Sequence, residues 1–147
     1  MENNSKKNKR TVLSSMEEIV SLAKKYSLEP EFYEKAAVAL KHISKSLDLT
    51  KDEAMLLSFF IELSSRSRIW VNAVAEMINV SNIRMITMLN VADDLIEKGF
   101  VTRHASGNDD RYYTVPASVV NSIRQNLPVT PVKMTDLTVD EFFDRLG

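Results

Sequence analysis

Between Trp70 and Pro116 the spacing of apolar residues changes from helical to extended across a single glycine, and that ordered change limits the available folds more than any other feature of the chain. Val71, Val74, Ala75 and Ile78 fall at i, i+3, i+4 and i+7, one face of a short helix. Asn79-Val80-Ser81 interrupts the pattern, and Ser81 is a good N-cap. The spacing then predicts one helix from about Asn82 to Lys98, with Met85, Met88, Leu89, Ala92, Leu95 and Ile96 facing the core. Gly99 follows, where a left-handed residue commonly ends a helix, and Lys98 sits where a cation suits the helix dipole.

After Gly99 the residues are those of strands. Phe100 to His104 and Arg111 to Val115 are rich in β-branched and aromatic side chains, Gly107-Asn108-Asp109-Asp110 between them is a polar turn, and Pro116 closes the pair. Helix, turn, longer helix and hairpin, in that order, describe a winged helix-turn-helix.

Upstream, Ser15-Met16-Glu17-Glu18 fits a capping box with Ser15 as cap, predicting a helix that buries Ile19, Leu22 and Ala23 and ends near Tyr26. Pro30 suits the first turn of a second helix, striped by Phe32, Ala36, Ala39, Leu40, Ile43 and Leu47. Thr50-Lys51-Asp52-Glu53 is a second capping box, and the helix it opens, through Leu56, Leu57, Phe59, Phe60 and Leu63, is apolar around most of its circumference. That helix is expected at the centre, with Ser64 to Arg68 leading on to Trp70. The fold class expected is therefore mainly α: a winged helix-turn-helix carrying extra N-terminal helices and a two-stranded β-hairpin wing.

The organisation expected is a disordered basic tail over 1–13, a winged-helix domain over 14–127, and a linker with a short acidic helix over 128–147. The tail carries Lys6, Lys7, Lys9 and Arg10 against Glu2, a net of +3, and is read as a solvated leader or as an arm for phosphates or acidic protein. Ala117 to Asn126 predicts a short helix, and Leu127 to Pro131 breaks regular structure. Thr138-Val139-Asp140-Glu141 is a third capping box, opening a helix with Phe142, Phe143 and Leu146 on its apolar face, either docked at home or leading into another domain.

Composition excludes several chemistries. With no cysteine there is no disulfide, thiolate zinc site or cysteine nucleophile. No window reaches the ~20 apolar residues of a membrane helix, and Met1 to Arg10 lacks an apolar signal region, which together predict a cytoplasmic protein with no membrane partner. His42 and His104 lie on different elements without ligand spacing, so no metal is expected. Gly99, Gly107 and Gly147 make no phosphate loop, Asn108-Asp109-Asp110 lacks the calcium-loop pattern, and Asp93-Asp94 has no partner nucleophile. Neither an enzyme nor a cofactor is expected.

What remains is recognition. The outward residues of the second helix are expected to be Ile83, Arg84, Thr87, Asn90, Val91 and Asp94, with Arg103 and Arg111 on the wing. Arg84 and Asn90 are base-reading types, whereas Ile83 and Val91 suit a protein surface and Asp94 repels phosphate. From Trp70 to Val115 the charges sum to −2, and Asp109 and Asp110 occupy the wing tip, which disfavours strong duplex binding. Met77, Met85 and Met88 are expected as core filling and Trp70 as a packing anchor rather than a base-stacking residue. The partner expected is a protein or a nucleic acid, with homo-oligomerisation open.

The chain resembles the amino-terminal region ahead of the ATPase domain in bacterial AAA-family ATPases of Bacteroidetes type. The resemblance rests on Leu47-Asp48-Leu49-Thr50-Lys51-Asp52-Glu53-Ala54-Met55-Leu56-Leu57, on Lys98-Gly99-Phe100-Val101 through Tyr112-Tyr113, and on Leu137 to Leu146, and covers about residues 30–147. It implies a regulatory or substrate-recruiting module. The chain has no Walker A or Walker B sequence, so it lacks the parts that ATP hydrolysis of that family requires. The alternative expectation is a free-standing winged-helix transcriptional regulator that dimerises through its first helices and binds DNA.

Overall fold

The computed structural model describes residues 10–105 and 111–129. Its architecture is set by helix α3, Lys51–Glu62, in which every residue from Glu53 to Phe60 is buried. A helix with no solvent face needs neighbours all round. They are α1 (Val12–Tyr26) and α2 (Pro30–Leu47) on one side and α6 (Met88–Glu97) on the other. Phe59 and Phe60 lie at its heart, and burying a side chain of this kind stabilises by about 2 kcal/mol. Helix α1 shares the central place, since it also touches α4 (Val71–Ile78) and α7 (Ala117–Arg124). The first two helices are thus part of one core with the rest, not an appendage to it.

Three boundaries differ from expectation, each for a local reason. Helix α1 begins at Val12, capped by Thr11 and not by Ser15. Thr11 Oγ1 accepts from the Ser14 N–H at 3.0 Å, and the Thr11 N–H donates to Ser14 Oγ at 3.0 Å. Serine here plays the reciprocal part that the motif usually gives to Glu or Gln. Ser15 is instead fully buried, in the same stripe as Met16, Ile19 and Ala23. The expected tail over 1–13 therefore gives up its last residues to the helix and its cap.

The helix expected from Asn82 to Lys98 is divided into α5 (Asn82–Ile86) and α6, with Thr87 between. Thr87 stays right-handed, but its hydroxyl donates to the Arg84 carbonyl at 2.8 Å and its N–H reaches the same oxygen at 3.3 Å. This tightens the turn and interrupts the i→i−4 ladder. Leu89, expected in the core, is 38% exposed. Met85, Met88, Ala92 and Leu95 are buried as expected, and Ile96 is half-buried.

The third difference lies at the carboxyl side. Helix α7 ends at Arg124, yet Val129, expected in a linker, packs against the core. Pro128 and Val129 line an open cleft of about 490 Å³ with Ser46, Leu47, Asp48, Lys98 and Phe100. The expected turn at Gly107 to Asp110, the third capping box and the basic residues Lys6, Lys7 and Lys9 lie outside the described residues.

The turn between α4 and α5 is built on Asn79, whose φ of 55° and ψ of 53° are left-handed. Asparagine tolerates that region better than any other residue with a Cβ. The Val80 N–H then closes on the Ala75 carbonyl at 3.0 Å, and Ser81 caps α5 by accepting from the Arg84 N–H at 3.0 Å. Gly99 takes φ 87° after α6, turning the chain into the antiparallel pair β1 (Thr102–Ala105) and β2 (Arg111–Thr114). Arg103 stands opposite Tyr113, and His104 opposite Tyr112. Ahead of α4, Ile69 exchanges two backbone bonds with Tyr113, of 3.0 and 2.8 Å. A short third rung thus joins the hairpin to the segment that enters α4.

Among the described residues no helix is long and apolar enough to cross a membrane.

Candidate functional site

Two outward faces gather the side chains singled out in the sequence. The first is the solvent side of α5 and α6. Ile83 is 78% exposed and Ile86 60%, and with Leu89 they recur every three residues as a strip on the surface. Thr87 and Asn90 are exposed beside them, Val91 is half-buried, and Asp94 is exposed a turn further on. Of the expected outward set, Ile83, Arg84, Thr87, Asn90 and Asp94 therefore lie in solvent, and only Val91 is half-buried. Sequence reasoning missed Ile86 and Leu89. No apolar period signals them, since the buried Met85, Met88, Ala92 and Leu95 keep one helical spacing across Thr87.

The cations near this face are engaged within the molecule. Arg84 donates from Nη2 to the Leu28 carbonyl at 3.0 Å, in the corner between α1 and α2. That corner also meets the α4–α5 turn through Ser27 Oγ, which donates to the Asn79 carbonyl at 3.1 Å. The guanidinium of Arg84 thus helps hold the turn in place. Arg103 Nη1 pairs with Asp93 at 2.9 Å, linking β1 to α6. Both partners are substantially exposed, so the pair adds little stability, but it neutralises the edge between hairpin and helix. Lys98 Nζ lies 2.7 Å from Glu53 Oε1, whose side chain is 4% exposed. Arg10, placed in the basic tail by sequence, lies 2.7 Å from Glu18 Oε1 and closes over the start of α1.

The second face is the outer side of the hairpin. The Tyr113 ring turns inward and stacks on Phe60 with centroids 5.3 Å apart. Burial pushes the Tyr113 hydroxyl pKa above the ordinary tyrosine value; the nearby Arg103 and Arg111 charges pull it back in part, and Asp93 adds to the rise. Tyr112, next in sequence, points the other way. It meets His104 at 4.9 Å with the rings 14° from parallel, and Trp70 at 5.5 Å. Arg68 lies over the same ring, 4.8 Å from its centroid. Trp70, expected as a packing anchor, packs against Tyr112 and is half-buried, at the N-cap position of α4. Arg111 is exposed and borders Trp70 and Asn72. His104 Nε2 is hydrogen-bonded to Thr114 Oγ1 at 2.9 Å.

His42 is half-buried on α2, and among the described residues no three His, Asp or Glu side chains come together in a way that would hold a metal ion. Comparison with protein-family models, with curated proteins and with solved structures gives no match to this chain.

Proposed function

We propose that this chain is a non-enzymatic recognition module of the winged-helix type, the amino-terminal part of an AAA-family ATPase, and that it engages a protein partner through α5 and α6. The observation that carries the reading is the exposed strip of Ile83, Ile86 and Leu89 on the helix that such folds turn toward their ligand. Apolar side chains at that place gain nothing from phosphate and much from burial against a partner's apolar surface. The internal engagement of Arg84 and Arg103 points the same way, because a duplex reader needs its cations free for phosphate. Support for the winged-helix assignment comes from the order α4, tight turn, α5–α6 and hairpin, with the Ile69–Tyr113 rung closing the sheet. Support for the ATPase context comes from the resemblance over Leu47 to Leu57 and Lys98 to Tyr113.

A second reading, a free-standing regulator that binds duplex DNA, draws on the exposure of Thr87 and Asn90, two residues able to hydrogen-bond base edges. One experiment separates the two. A photo-crosslinking residue is placed at Ile86 and the chain is irradiated in cells of its source. The protein-partner reading expects a discrete protein adduct that resists nuclease and is lost when Ile83→Asp is added. A nuclease-sensitive adduct, or a protein adduct indifferent to Ile83→Asp, overturns it.

A further inference from the structure

Strand alternation sorts the hairpin's side chains onto two faces. Ile69 and Tyr113 point into the core, so Arg68, Trp70, Tyr112 and Thr114 emerge on the opposite side, where the register adds Thr102 and His104 from β1. The result is a cluster of planar groups on the outside of the molecule: the Arg68 guanidinium 4.8 Å from Tyr112, the His104 imidazole nearly parallel to Tyr112 at 4.9 Å, and Trp70 tilted by 56° against the same ring at 5.5 Å. The hydrogen bond between His104 Nε2 and Thr114 Oγ1 fixes the tilt of His104. An open cleft of about 440 Å³ borders Trp70, lined further by Val71, Asn72 and Arg111.

Four cations elsewhere answer carboxylates: Arg10 with Glu18, Lys24 with Glu62, Lys98 with Glu53 and Arg103 with Asp93. Lys25 and Lys35 lie over the Tyr26 ring, but on the hairpin face Arg68 stands on Tyr112 within an aromatic cluster, and Arg111 borders the cleft beside Trp70. This face therefore offers π surfaces and guanidinium groups side by side. Flat uncharged rings joined by phosphates match that offer, and a duplex does not, because its base faces are already stacked on one another.

We infer that the outer face of the hairpin is a second binding site, for single-stranded nucleic acid. Bases stack on the exposed sides of His104 and Trp70, and Arg68 and Arg111 take the flanking phosphates. The site is separate from the α5–α6 strip and stands whether or not that strip binds protein.

The chain's single tryptophan lies in the proposed site, so its emission reports occupancy directly. Titration of the full chain with oligothymidylate at low salt should quench Trp70. The logarithm of affinity should fall with that of salt at a slope of about −1.4, roughly −0.7 for each of two phosphates. His104→Ala should weaken binding about 5- to 150-fold, the loss of one stacked base, and His104→Phe should restore it. Arg68→Ala should weaken binding and flatten the salt slope, with the helical circular dichroism of each variant unchanged. Ile83→Asp should leave the titration as it is, which separates this site from the helix face. Unchanged Trp70 emission with oligothymidylate overturns the inference. So does equal affinity in His104→Ala, or quenching by a proline-rich peptide where oligothymidylate has no effect.

Discussion

At the scale of single residues, Glu53 shows how one buried charge can organise two helices. Its Oε1 accepts from the Thr50 N–H at 2.9 Å, completing the capping box of α3, and lies 2.7 Å from Lys98 Nζ at the end of α6. The start of one helix and the finish of another therefore meet on one oxygen. Glu53→Ala removes the reciprocal half of the capping box, leaves the Thr50 hydroxyl still accepting from the backbone N–H of residue 53, and strands Lys98, which is exposed enough to be rehydrated. The loss expected is about 2 kcal/mol, from the bond to the Thr50 N–H and the charge-assisted bond to Lys98. Lys98→Met should destabilise as well, because it leaves the Glu53 carboxylate buried without its cation. Urea unfolding checks both, and a midpoint unchanged in either variant would mean that the contact contributes nothing.

At the scale of elements, much is legible in the sequence. The stripe of α2, the box at Thr50, the cap at Ser81 and the left-handed stop at Gly99 all come from spacing and from side chains that satisfy the ends of helices. The break at Thr87 is not, because both neighbours continue the apolar period and only a hydroxyl bond to Arg84 interrupts it. The rung at Ile69 is hidden for another reason: a single residue pair carries no period, and its partner Tyr113 is far along the chain. Of the proposed recognition surface, the exposure of Ile83 and Asn90 can be read from the helical wheel. The engagement of Arg84 by the Leu28 carbonyl cannot, since it depends on how a distant corner packs. The same exposure predicts that Ile83→Asp with Ile86→Asp changes folding stability by less than about 0.5 kcal/mol, as substitutions on solvent-facing positions do. A loss several times larger in thermal unfolding would show that the strip is covered within the molecule.

At the scale of the whole molecule, Tyr113 joins the sheet to the helical body. Its backbone pairs with Ile69, and its ring lies on Phe60 of α3. Because burial raises its pKa in the folded state, the unfolded chain releases the phenolic proton first as pH rises. The contribution of Tyr113 is therefore fully present below the ordinary tyrosine value near pH 10 and is lost as pH climbs through the higher folded value. Stability measured by denaturant should be insensitive to this residue through neutral pH and fall above about pH 10. Tyr113→Phe should blunt the alkaline fall, and an alkaline limb identical to wild type would place its cause elsewhere.

The paired bonds between Ile69 and Tyr113 also bear on how such a chain can change over generations. They fasten the segment that enters α4 to the returning strand of the hairpin, so the two ends of the stretch carrying α4 to α6 are held together. Provided the inward residues from Val74 to Leu95 keep their bulk, the outward ones can be rewritten without moving the attachment. The outward positions are thus the part of the segment least held by the fold, free to vary while the frame stays in place.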